Sequence, residues 1–269
     1  MALLIGSDNF GKMMRNNYDF VDKSLFIKKV MDDSIEVLLI TRPRRFGKTL
    51  NLSMLHHFLA AEVDYLSTKG LFDHLKISKL DEYMQHQGKY PVIFVTFKDI
   101  KERDINTAYD KLHELVVETF NKYHYLEGSD ELSPNLKRLY KLILHGEADR
   151  AQIENSLKTL SACLYEHHKV KPYLLIDEYD TPIQSSYLHH YYDDMMSIMR
   201  GLLSAALKTN PYLNKAVITG ILRIAKESLF SGLNNLSVYS IMNSEYGEYF
   251  GFTEEEVLDL LRQETLEDQ

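Results

Sequence analysis

The stretch Leu38-Leu39-Ile40-Thr41-Arg42-Pro43-Arg44-Arg45-Phe46-Gly47-Lys48-Thr49 constrains this chain more than any other. Apolar residues run up to Thr41, a tight basic loop follows, and Gly47-Lys48-Thr49 opens a segment, Leu50 to Ala61, with the pattern of a helix. Strand, loop and helix in that order form a cradle for nucleotide phosphates. Loop amides and the helix N-terminus face the anion, a lysine reaches the terminal phosphates, and a hydroxyl holds Mg²⁺. Arg42 stands where the strict G-x-x-x-x-G-K-[ST] pattern has its first glycine. A Gly-Lys-Thr tripeptide alone is a weak sign. The strand before it, the helix after it and an acidic strand end far downstream make it a strong one.

That acidic strand end is Pro172-Tyr173-Leu174-Leu175-Ile176-Asp177-Glu178-Tyr179-Asp180. A proline followed by a run of apolar residues reads as a buried strand that ends in two carboxylates. In phosphate-loop NTPases such a strand is expected beside the one feeding the loop, with its first acid, Asp177, assisting Mg²⁺. The second acid, Glu178, is placed to polarise a water against the γ-phosphate by general-base chemistry. Acids also end strands merely to meet solvent, and Gly47-Lys48-Thr49 tips the balance toward chemistry.

The remaining composition bounds the class. A chain of 269 residues with 45% apolar content has enough material for one large α/β domain or two small ones. A formal net charge of −8 gives no global attraction to nucleic acid, so any such contact is expected to be indirect or local. Cys163 is the only cysteine, which excludes a disulfide framework and a cysteine metal site and suits a reducing cytoplasm. No apolar run approaches the ~20 residues of a membrane span. Residues 1–5 are too short for a signal-peptide core and lack a basic start.

Strands and helices alternate along the chain. Strands are expected at 35–41, 90–97, 172–177 and 215–220; helices at 24–31, 49–61, 106–123, 134–144, 150–168 and 191–208, with a loop up to about His189. Four hydrophobic strands separated by helices predict an α/β fold, a three-layer sandwich with a mostly parallel central sheet covered on both faces. Residues 1–250 read as one domain and 251–269 as the start of a C-terminal helical segment. In that segment Glu254-Glu255-Glu256 forms an acidic first turn capped by Thr253.

Asp22-Lys23-Ser24, the loop Thr41 to Thr49, Leu175 to Ile183, and Thr219-Gly220-Ile221-Leu222-Arg223-Ile224-Ala225-Lys226-Glu227-Ser228 occur in that order. The set closely resembles the predicted AAA-ATPase family of bacterial proteins (AAA-ATPase-like domain), over about Ile5 to Leu261. The resemblance implies a P-loop NTPase fold, ATP and Mg²⁺ as ligands, and a cradle of Arg42, Pro43, Arg44, Arg45, Phe46, Gly47, Lys48, Thr49 and Leu50. Arg42 at the first glycine position is the family's habit. Thr49 and Asp177 are the implied Mg²⁺ ligands, and Glu178 and Lys48 are catalytic groups. Thr219, at a strand tip, is the implied sensor or water-orienting group. Arg223 follows that strand and is a candidate for the γ-phosphate or for a neighbouring subunit. Related ATPases lay the segment ahead of the first strand over the adenine, which nominates Phe20 and Val21; plain packing of the helix that follows is the competing reading. Members commonly carry a PD-(D/E)XK-type nuclease domain after the ATPase. The chain is therefore expected to be an ATPase module without that C-terminal partner, with a homo-oligomer also open.

Other patterns resolve to structure. His56-His57, His167-His168 and His189-His190 are adjacent pairs, so each points two ways on a helix and makes no i, i+4 ligand face. Arg44 and Arg45 suit bidentate pairing with phosphate oxygens; solvation of a loop, or a salt bridge to the Asp177-Glu178-Asp180 cluster, is the competing reading. Two functions remain open from the sequence. One is an ATP hydrolase, slow when isolated, because efficient phosphoryl transfer gains ~10³–10⁵-fold from a delivered arginine and only Arg223 and Arg200 are internal candidates. The other is a nucleotide-dependent switch with little or no hydrolysis that regulates a partner.

Overall fold

The computed structural model describes residues 8–222, 229, 230 and 233–267. In chain order the strands are β1 (Val37–Thr41), β2 (Glu62–Val63), β3 (Leu66–Ser67), β4 (Val92–Thr96), β5 (Tyr173–Asp177), β6 (Lys215–Gly220) and β7 (Leu236–Tyr239). The helices are α1 (Phe10–Arg15), α2 (Leu25–Asp32), α3 (Lys48–Leu59), α4 (Asp81–Met84), α5 (Ile105–Asn121), α6 (Pro134–Leu144), α7 (Arg150–Glu154), α8 (Ser156–His168), α9 (Thr181–Leu188), α10 (Tyr192–Leu207) and α11 (Glu254–Glu267). Contacts divide the chain into two compact units. One comprises residues up to 34, 42–88 and from 239 onward; the other comprises 35–41 and 89–238. No helix among the described residues is long and apolar enough to cross a membrane.

The second unit holds the sheet, in the order β4-β5-β6-β1-β7. β4, β5, β6 and β1 pair in parallel, with Thr96 opposite Asp177, Ile176 opposite Ile218, and Thr41 opposite Gly220. β1, β5 and β6 are buried along their whole length, as a parallel sheet flanked by helices requires. The α/β fold of a P-loop NTPase-like domain follows from this mostly parallel sheet. Its core joins sheet residues such as Leu39, Leu174 and Ile218 to Leu112, Leu160, Cys163 and Met199 from the helices. Burial pushes the Cys163 thiol up to about 12, so it acts as a small hydrophobe.

The expectation that the acidic strand lies beside the loop-feeding strand is corrected. β6 lies between β5 and β1 and pairs with both. Its interior, Ala216-Val217-Ile218, carries no polar side chain, so the central position with both faces and both edges covered suits it. Three local details also differ. The helix expected over 150–168 breaks at Asn155, whose Nδ2 donates to Ala151 O and so competes with the helical ladder. The segment expected as a loop before His189 contains α9, opened by Thr181-Pro182, because a proline in the first turn needs no amide partner. A fifth strand, β7, joins the sheet at the β1 edge and is only four residues long.

The first unit is built on aromatic packing. Phe10 stacks on Phe72 with centroids 4.9 Å apart, and Phe72 meets Phe58 edge-on. A second cluster sets Phe26 of α2 against Tyr246, Tyr249 and Phe250. Asp22 accepts from Ser24 N through Oδ1 and from Lys76 N through Oδ2, so it ties the start of α2 to a distant segment. Ser24 likewise spends its hydroxyl on Ile77 N. Thr253 caps α11 as expected: its Oγ1 accepts from Glu256 N, and Glu256 Oε2 accepts from Thr253 N.

Candidate functional site

The expected site residues fall into two groups, one in each unit. In the first unit the loop that follows β1 runs from Arg42 to Gly47 and enters α3 at Lys48. Gly47 has φ +75°, and a Cβ built on it would meet nothing within 4 Å. The glycine is therefore demanded by backbone conformation and not by crowding. Asn51 N donates to Gly47 O and closes the first helical turn. That turn presents amides which have no partner within their own helix. Lys48 is nearly buried, and its Nζ donates to Pro43 O at 2.9 Å, so the ammonium folds back over its own loop.

The arginines of this loop divide. Arg42 is 2% exposed, donates through Nη1 to Tyr239 O at 2.8 Å, and lies 5.3 Å over the Phe250 ring. Burial lowers its pKa. Its guanidinium is committed to the scaffold. Pro43, Arg44 and Arg45 are exposed, with Arg45 in the left-handed region at φ +67°. Phe46, Thr49 and Leu50 are half-buried. Phe20 and Val21 are half-buried as well, and Phe20 meets Phe10 edge-on at 5.6 Å.

In the second unit the exits of β5 and β6 are tied together residue by residue. Asp177 is 1% exposed, and Thr219 Oγ1 donates to its Oδ1. Tyr179 N donates to Thr219 O, and Tyr179 OH donates to Leu222 O at 2.7 Å. Asp180 Oδ2 accepts from Ile221 N at 3.1 Å, Leu222 N at 2.7 Å and Gln184 Nε2 at 2.7 Å. Between them sits Gly220, where a Cβ would stand 2.5 Å from Tyr179 Cε1 and 2.6 Å from Asp180 Oδ1. Only glycine fits.

Glu178 carries the strain of this turn. It adopts φ +50°, a left-handed conformation that costs a non-glycine residue about 1–2 kcal/mol. Thr181 N donates to its carbonyl and Thr181 Oγ1 to its Oε2 at 3.1 Å, so backbone and carboxylate are both held. A non-glycine residue in this conformation persists because its surroundings over-determine it, and the Glu178 side chain is half-open to solvent.

Several expected residues stand elsewhere. Arg223, and Lys226 with it, lies outside the described residues. Arg200 is exposed on α10. His57 Nδ1 is paired with Ser53 O, and among the described residues no group of three or more His, Cys, Asp or Glu gathers as a metal site. Sequence reading missed Tyr179, Asp180 and Gly220 as a tie between strand ends; the signal available was a glycine closing an apolar strand, which marks close backbone approach. It also missed Tyr239 and Gly251 as partners of the basic loop and Tyr249 as a partner of Asn51 on α3, where no periodicity points to the contact.

The model of the family described as predicted AAA-ATPase matches residues 4–230. An uncharacterized protein encoded in the vnfD 5′ region of Azotobacter chroococcum mcd 1 is 27% identical over 257 residues, 95% of this chain. This chain spans 44% of that relative's length. No solved structure matches.

Proposed function

Because this chain belongs to the predicted AAA-ATPase family, we propose that it is an ATP hydrolase with its phosphate cradle at Arg42 to Leu50 and Glu178 as its water-activating base. Family membership supports a nucleotide-binding, ATPase-type function; the residue roles are our reading. The observation that carries it is the passage from β1 through a loop ending at left-handed Gly47 into α3, with Lys48 and Thr49 as its first residues. That passage is the build of an anion cradle.

In this reading Lys48 Nζ leaves Pro43 O for the terminal phosphates, exchanging a neutral acceptor for a charged one. Amides from Phe46 to Thr49 line the phosphates, and exposed Arg44 and Arg45 are available to their oxygens. The Thr49 hydroxyl and the Asp177 carboxylate are hard oxygen donors of the kind Mg²⁺ takes, since that ion keeps several waters and needs few protein ligands. Bound Mg²⁺ neutralises charge on the triphosphate. Thr219, hydrogen-bonded to Asp177, keeps that carboxylate turned to one side and orients the attacking water. Glu178 accepts the water's proton as its oxygen attacks the γ-phosphorus; the β–γ bridging bond breaks, and ADP and inorganic phosphate leave. Phe20 and Val21 are the proposed apolar contacts for adenine, and Arg223 the proposed arginine for the developing charge.

Turnover by this chain alone is expected to be slow and to rise with a second copy or with the further sequence that its longer relative carries. The lone buried thiol suits a reducing compartment, and we assign the protein to the cytoplasm. Titration calorimetry with MgATP tests the cradle. Lys48→Ala should abolish binding with the fold intact, and unchanged affinity would overturn the assignment.

A further inference from the structure

The basic loop is braced by residues 239–256, which lie beyond the stretch matched by the family model. Arg42 Nη1 donates to Tyr239 O, and its guanidinium covers the Phe250 ring. Asn51 Nδ2, on the first turn of α3, donates to Tyr249 O at 2.6 Å. Gly251 N donates to Phe46 O at 3.1 Å. The last bond has a directional consequence. In a trans peptide the carbonyl and the next amide point opposite ways. Fixing Phe46 O on Gly251 therefore turns the exposed Gly47 N–H away from the brace, where an anion can reach it.

The brace has its own anchor. Lys23 Nζ donates to Glu248 O and to both carboxylate oxygens of Glu256, each at 2.6 Å. Lys23 is 8% exposed and Glu256 21%. A cation so nearly buried depends on its partner, and an ion pair broken by losing one member leaves an uncompensated charge. The anchor straddles the brace, binding Glu248 before Gly251 and Glu256 after it. Gly251 itself is confined: its φ is +77°, and a Cβ there would lie 3.1 Å from Phe46 Cδ1.

We propose that residues 239–256 are a working part of the nucleotide site, with Lys23, Asn51 and Glu256 as positioning residues that fix the phosphate cradle without touching the nucleotide. The proposal rests on the reading of Arg42 to Leu50 as that cradle. Its ligand class is the triphosphate of a nucleotide, and its effect is on affinity more than on the chemical step.

Calorimetry and phosphate release on the purified chain test it with MgATP as probe. Glu256→Gln and Lys23→Met should each weaken ATP binding about tenfold, which is about 1.4 kcal/mol. The Michaelis constant should rise in parallel while kcat stays within about threefold, a split that general loss of structure would not give. Gly251→Ala, which leaves the ion pair alone and crowds Phe46, should weaken ATP in the same way, so the proposal survives a poorly folding latch variant. Wild-type protein that binds ATP, with all these variants within twofold of it, would overturn the brace. Wild-type protein that fails to bind ATP would instead overturn the cradle itself.

Discussion

Asp180 offers the sharpest test of how the second unit is held at its strand ends. Asp180→Ala removes an acceptor used by Ile221 N, Leu222 N and Gln184 Nε2 at 2.7–3.1 Å. Hydrogen bonds to a charged acceptor contribute about 1.5–3 kcal/mol each, so three taken at face value would sum to several kcal/mol. Two corrections reduce that. Leu222 is exposed and Ile221 and Gln184 are half-buried, so water replaces part of what is lost. Asp180 itself is 0% exposed, and among the described residues its Oδ1 has no hydrogen-bond partner, so truncation also relieves a desolvated carboxylate. A net loss of about 3 kcal/mol is expected, at the low end for breaking a buried charged network. For a chain of this size that lowers Tm by about 6–12 °C. Asp180→Asn keeps one acceptor oxygen and should lose about 1 kcal/mol. Urea unfolding followed by far-UV circular dichroism gives both values. A change under about 0.5 kcal/mol for Asp180→Ala would refute the tie between the β5 and β6 exits.

Glu178→Gly should move stability and activity in opposite directions. Glycine accepts φ +50° freely, so unfolding should become harder by about 0.5–1 kcal/mol while phosphate release is lost; a destabilised or fully active variant would refute the strained-base reading. A pH dependence follows from His57, whose pKa is lowered chiefly by burial. The folded state then binds fewer protons than the unfolded one, so this contribution is intact above the unfolded value of about 6.5 and is lost as pH falls below it. Urea midpoints at pH 7.5 and 5.5 should differ less in His57→Gln than in wild type, and an equal difference would refute the assignment.

Much of the architecture was legible because it rests on short-range signals. Lys215–Gly220 holds the apolar run Ala216-Val217-Ile218 before a polar tip and folds as the strand it predicts; Pro134 to Leu144 likewise begins at its proline and forms the expected helix. The order of strands was not legible, since periodicity says that β5, β6 and β1 are buried but not which of them is central. Two-residue strands such as Glu62–Val63 leave no period to read. For the site, the sequence marks the groups to which we assign chemistry: Lys48, Thr49, Asp177, Glu178 and Thr219. It does not mark the groups that aim them. Asp180 acts through backbone amides more than forty residues away, and Gly251 through the carbonyl of Phe46. Such contacts depend on closure of the chain over long separations, which local pattern does not encode.

Steady-state release of inorganic phosphate from MgATP, compared between wild type and Glu178→Gln, tests the central claim most directly. The account predicts slow, measurable release by wild type and at least about a hundredfold less by Glu178→Gln, with ATP affinity unchanged, as expected when a general base worth ~10²–10⁴-fold is removed. Equal release by the two proteins, or none from wild type that demonstrably binds ATP, would contradict it.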